Sequence, residues 1–194
     1  MSKVSNQKKK EMEEQQQPIK SEEIKIEIID GIHKTDSFQS YEKELVDFLR
    51  EDALENQKQR LSVTFLWFYE NKLVSYITLL NDKINLEGDL KEFFKEKGIH
   101  YKSLPALKIG RLCVDNNFLR RGFGRSMILS AIQIANGINQ NKAGCRFITL
   151  DAKRNSDKRL DSIHFYKKMG FKTLKERVKG TTPMYLDLKL IGGN

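Results

Sequence analysis

Apolar positions along this chain recur with two different periods, and the switches between them predict the order of elements. IKIEIID (24–30) alternates and reads as a first strand. In SFQSYEKELVDFLREDALENQ (37–57), Tyr41, Leu45, Phe48, Leu49 and Leu54 fall at helical spacing on one side. Ser40 is placed to cap that helix, without a capping box because Lys43 follows it by three, while Glu42 and Glu44 suit the positive end of the dipole. LSVTFLWFYENKLVSYITLL (61–80) is rich in β-branched and aromatic residues and reads as two strands of a hairpin around Glu70, Asn71 and Lys72. A short helix is expected over 88–98, a strand over 105–115, a longer helix over 124–138 and an apolar strand over 145–152. LDSIHFYKKMG (160–170) reads as a helix that Gly170 ends in a left-handed cap. FKTLKE (171–176) and PMYLDLKL (183–190) are the last strands, the second with Met184, Leu186, Leu188 and Leu190 facing one way. One strand-helix-strand unit thus sits among antiparallel strands. The expected class is α/β (α+β): a mixed, mostly antiparallel sheet of six to seven strands with helices on both faces.

Composition refines this picture. Residues 1–22 are charged and glutamine-rich with almost no apolar anchors, so a flexible tail is expected there and a single domain over 23–192. No apolar run reaches the roughly 20 residues of a membrane span, and the start of the chain has no signal-like apolar core, so a cytoplasmic location is expected. Cys113 and Cys145 both sit in apolar runs and read as reduced core residues. No Cys/His spacing resembles a zinc site, so no metal is expected. Charge is uneven. Residues 1–104 hold 17 Lys/Arg against 20 Asp/Glu, whereas 105–194 hold 18 against 6, a net of +12. An anionic partner and a lysine-rich solvated surface both fit that count.

The most informative stretch is VDNNFLRRGFGRSM (114–127). A strand that ends in a glycine turn and enters a helix presents unpaired N–H groups and the positive dipole end, which favour phosphate. Gly122 and Gly124 admit close approach, and Arg120, Arg121 and Arg125 add charge. There is no G-x-x-x-x-G-K-[ST], and Met127 stands where a dinucleotide fingerprint has its third glycine.

RLCVD, then RRGFGRSMI, then HFYKKMGF together resemble the GNAT superfamily of N-acyltransferases over residues 24–190. The resemblance implies the GNAT fold and acetyl-CoA as cosubstrate. It implies that Leu112, Cys113 and Val114 bind the pantetheine arm through the strand backbone and that Leu119, Arg120, Arg121, Gly122, Phe123, Gly124 and Arg125 cradle the pyrophosphate. It also implies that Tyr166 faces the sulfur. Leu119 departs from the family's Gln or Arg, with Arg120 the candidate substitute, and Arg159 stands where an asparagine is common.

The stretches 36–80, LPALKIGRLCVD and ITLDA further resemble the toxin-type branch, which acetylates the amino group of aminoacyl-tRNA. That resemblance implies charged tRNA as acceptor, with an antitoxin protein and a second copy of the chain as partner candidates. Lys153, Arg154, Lys158 and Arg159 are the candidate RNA contacts. Tyr166 is the candidate general acid toward the leaving thiolate, and strand N–H groups near Val114 are candidate oxyanion donors. Asp115, Asp151 and His164 are the candidate bases, none singled out, and an aminoacyl ester amine needs little help. Other acceptors compatible with the motifs are protein N-termini, lysines and small amines. A non-catalytic RNA-binding module on the same fold is the reading outside enzymes.

Overall fold

The computed structural model describes residues 23–154, 162–177 and 180–191. The expected tail, 1–22, lies outside the described residues, as do Lys158 and Arg159. Among the described residues seven strands form one sheet: β1 (Ile24–Ile28), β2 (Val63–Tyr69), β3 (Lys72–Asn85), β4 (Ser103–Val114), β5 (Phe147–Lys153), β6 (Lys172–Thr173) and β7 (Thr181–Asp187). Their order is β1-β2-β3-β4-β5-β7-β6. β4 and β5 pair in parallel over Ala106–Ile109 and Phe147–Leu150, whereas β1–β2, β5–β7 and β6–β7 are antiparallel. The helices are α1 (residues 43–58), α2 (Gly88–Glu96), α3 (Phe123–Asn141), α4 (Ser162–Lys168) and α5 (Leu188–Ile191). By compactness the chain divides into two units: Met1–Thr78 with Arg111–Met127, and Leu79–Gly110 with Ile128–Asn194.

In the first unit, β2 turns into β3 through Glu70 and Asn71, whose φ values of 50° and 61° make the two-residue turn that suits twisted antiparallel strands. α1 is α-helical over Lys43–Asp47 and Ala53–Lys58, with a π segment at Phe48–Asp52 where the adjacent Phe48 and Leu49 are both buried. The helix begins later than its periodicity predicts. Glu42 is the residue before it, Ser40 Oγ accepts the Glu42 amide at 3.2 Å in a preceding turn, and Tyr41 is 70% exposed. Phe38, Val46, Phe48, Leu49, Leu66, Leu73, Tyr76 and Cys113 form the core. Tyr76 is its polar anchor, donating to Leu45 O at 2.6 Å, and burial holds its phenol far above the usual range.

The second unit is built around Ile84, Leu86, Phe94, Ala106 and Phe147. Arg146 clamps it with a two-bond pair to the buried Asp187, at 2.7 and 2.8 Å. Two expectations fail here. β6 keeps only Lys172–Thr173 of the expected 171–176 strand. β7 ends at Asp187, whose Oδ1 accepts the Lys189 amide at 3.0 Å as the chain winds into α5, so Leu190 leaves the apolar face and is exposed.

Candidate active site

The strand-to-helix loop belongs to the first unit. β4 delivers Leu112, Cys113 and Val114, and Cys113 points into the core. Burial pushes its thiol up to about 11, so it stays protonated at neutral pH and behaves as a small core side chain rather than a nucleophile. Asp115 then turns the chain. Its Oδ1 accepts from the amide and side chain of Asn117 at 2.9 and 3.0 Å, and its Oδ2 accepts from the Gln39 amide at 2.8 Å. Its own N–H donates to Val74 O at 2.8 Å. Asn116 doubles the link, donating to Gln39 O at 2.9 Å and accepting from the Tyr41 amide at 3.0 Å. A carboxylate this engaged is a fastener, which removes Asp115 from the candidate bases.

Beyond the short helical turn Asn116–Phe118, Leu119 is 41% exposed, and the chain passes through two left-handed positions, Arg120 at φ 61° and Gly122 at φ 92°. A Cβ at Gly122 would meet nothing within 4 Å, so glycine serves the backbone conformation there and not a tight contact. Phe123, buried, fixes the start of α3 edge-on against Phe118 at 6.1 Å. Arg121 lies over two rings, 5.3 Å from Tyr69 and 5.5 Å from Phe118. Its Nε is buried with no acceptor among the described residues. Tyr69, Glu70, Asn116, Asn117, Phe118 and Arg121 border a recess of about 520 Å³. The first-turn amides of α3, where Gly124 lies, have no intrahelical acceptors. With Arg121 and the exposed Arg120 and Arg125 they make this end of the helix attractive to an anion.

Tyr166 belongs to the second unit, on α4. It is 8% exposed and set between Phe165 at 5.1 Å and Phe171 at 5.6 Å. Gly170, at φ 89°, ends this turn as the spacing predicts, and Phe171 N–H returns to Tyr166 O at 3.1 Å. Ser162 Oγ ties the helix to Lys153 O at 2.8 Å. Of the remaining base candidates, His164 is exposed on α4 and Asp151 pairs with Lys108 at 2.7 Å. Arg154 reaches Thr182 Oγ1 at 3.1 Å and Glu176 at 3.2 Å.

The sequence pattern did not reveal a cavity of about 690 Å³ in this unit. Asp82, Lys108 and Thr149 line it, and Thr149 Oγ1 donates to Asp82 Oδ2 at 2.6 Å. β3 runs past Leu80 to Asn85 and carries Asp82 into the cavity. Among the described residues there is no cluster of His, Cys, Asp or Glu fit to hold a metal, and no helix long and apolar enough to cross a membrane.

A mixed sheet whose fourth strand feeds a glycine-arginine turn and then a 19-residue helix is the architecture of an acyl-CoA acyltransferase. Residues 27–171 match the Acetyltransferase (GNAT) family, and the chain belongs to it, with acetyl-CoA as acyl donor. No curated protein matches the sequence significantly. Similar solved structures include a tyrosine-to-phenylalanine mutant of KacT, at 19% identity and TM-score 0.72 over 87% of this chain and 97% of that one. AtaT complexed with acetyl-methionyl-tRNAfMet is 19% identical, with TM-score 0.71 over 87% and 96%. An AtaT mutant toxin bound to the C-terminus of the antitoxin AtaR and acetyl-CoA is 16% identical, with TM-score 0.67 over 88% and 99%. At these identities the likeness establishes the fold.

Proposed function

We propose that the chain is an N-acetyltransferase that acetylates the α-amino group of aminoacyl-tRNA. The observation that carries the donor half is the loop: a left-handed Gly122 at the head of α3 beside a buried Arg121 Nε with no acceptor among the described residues. This arrangement fits a diphosphate, held by the segment Leu119 to Arg125, with the strand amides of Leu112, Cys113 and Val114 orienting the pantetheine arm. Acetyl-CoA supplies an acetyl thioester. The neutral acceptor nitrogen forms the new C–N bond as the C–S bond breaks, Tyr166 delivers its hydroxyl proton to the departing sulfur, and the proton shed by the nitrogen passes through solvent to restore the Tyr166 hydroxyl. Backbone N–H groups near Val114 stabilise the developing oxyanion.

The acceptor half is supported by the +12 charge of residues 105–194 and by the likeness to AtaT, a structure of which holds acetyl-methionyl-tRNAfMet. Lys153 and Arg154 are the described members of the RNA-contact set. An antitoxin is the proposed protein partner, as AtaR is for AtaT, and a second copy of the chain is the other.

A radiolabelled acetyl transfer panel of charged tRNA, peptides and small amines tests this reading. Label is expected on charged tRNA. Tyr166→Phe is expected to lower kcat by about 100-fold or more while acetyl-CoA stabilises the variant against heat as it does the parent. Label confined to peptides or small amines, or no stabilisation by acetyl-CoA, overturns it.

A further inference from the structure

The 690 Å³ cavity of the second unit is divided by charge. In sheet order β3 flanks β4 and β5 on one side, and β7 and β6 flank them on the other. From the β3 side come Asp82 and Lys83, followed by Glu87 and Asp89 at the start of α2, a net of −2. From the segment after β6 come Lys175 and Arg177, a net of +2. Between them Lys108 and Asp151 neutralise each other at 2.7 Å.

One carboxylate differs from the rest. Glu87, Asp89 and Asp151 are exposed, whereas Asp82 is half-buried. Among the described residues its hydrogen-bond partner is the Thr149 hydroxyl, 7% exposed, which takes one carboxylate oxygen and orients the group without neutralising it. A half-buried carboxylate that faces an open cavity, with one oxygen already oriented, is suited to accept hydrogen bonds from an amine. The basic flank is suited to phosphate.

We infer that this cavity receives the acceptor, an amine carried on a phosphodiester chain, with Asp82 accepting hydrogen bonds from the amine N–H groups and Lys175 and Arg177 holding phosphate. The inference rests on the N-acetyltransferase reading and names the acceptor side of that same reaction. Asp82 acts as a positioning residue and not as the base. The amine of an amino-acid ester loses its proton readily near neutral pH, so the pocket has to place it and not to deprotonate it.

Steady-state kinetics with two acceptors test the inference: aminoacyl-tRNA and the phosphate-free aminoacyl nucleoside bearing the same amino acid. Asp82→Asn keeps the Thr149 contact and removes the charge. It is expected to raise KM about tenfold for both acceptors, leaving KM for acetyl-CoA and the melting temperature unchanged. Thr149→Val keeps the charge and removes its orientation, and a smaller rise in the same direction is expected. In Lys175→Gln/Arg177→Gln, KM for aminoacyl-tRNA should rise at least tenfold more than KM for the nucleoside. Unchanged acceptor KM in Asp82→Asn, or equal losses on both acceptors in the double variant, overturns the inference alone. If the parent enzyme acetylates neither acceptor, the aminoacyl-tRNA reading falls and takes this one with it.

Discussion

The two regions to which the reaction is assigned are built in opposite ways. The loop of the first unit is a continuous stretch, Leu112 to Arg125, and its character comes from the backbone: two left-handed residues, a helix start and a buried aspartate that fixes the turn. The cavity of the second unit is assembled from side chains on separate strands. Asp82 and Thr149, its central pair, are 67 residues apart. A site of the first kind tolerates many side chains but few changes of conformation. A site of the second kind can change its charge one residue at a time while the strands stay where they are. The contrast accounts for how one fold can keep its donor and vary its acceptor.

Substitutions can break that contrast or sharpen it. The largest effect is expected from Asp115→Ala, which removes the buried carboxylate that accepts the part-buried bonds from Gln39 and Asn117. A loss of about 3 kcal/mol is expected in denaturant titration, because hydrogen bonds to a charged group each contribute about 1.5–3 kcal/mol and do not add fully. Acetyl-CoA affinity, followed by calorimetry, should fall with it. If stability drops and affinity holds, the loop does not depend on its fastener. Next comes Thr149→Val in the other region, with an expected cost of about 1 kcal/mol and no change in acetyl-CoA affinity. A change in that affinity would mean that the two regions are coupled. The smallest effect has the opposite sign. Arg120 occupies a left-handed conformation that costs an L-residue about 1–2 kcal/mol, part of which glycine returns as unfolded-state entropy. Arg120→Gly should therefore gain about 0.5 kcal/mol in the same titration while weakening acetyl-CoA binding. Weakened binding without a gain in stability would remove strain from the account of this loop.

How the regions are built also decides what the sequence reveals. The loop is legible in the chain itself because its requirements fall on neighbouring residues, with glycine and arginine at fixed offsets ahead of a helix. Gly170 can be read for the same reason. Asp82 cannot, because Asn81, Asp82 and Lys83 look like the end of a hairpin. β3 instead runs on to Asn85, where its pairing in the sheet outweighs the poor strand propensity of those residues. The fate of Asp151 is equally hidden. Nothing local to it announces Lys108, which reaches it from the parallel neighbour β4. The end of β7 departs from expectation for a different reason. Leu190 continues the alternation on paper, but Asp187, engaged by Arg146 and by the Lys189 amide, turns the chain before that leucine can follow.

The Asp115 fastener also limits how the loop could be reused. Its partner on the far side, the Gln39 amide, is 76 residues away along the chain. A protein engineer who moved residues 112–125 into another scaffold would carry over the glycines and arginines and leave behind half of the hinge plate. The transplant would need a second insert matching residues 39–41, held in place by a helix that begins as α1 does. The motif is therefore a two-piece part, and recombination that splits the chain between those pieces should yield a foldable loop of the wrong shape.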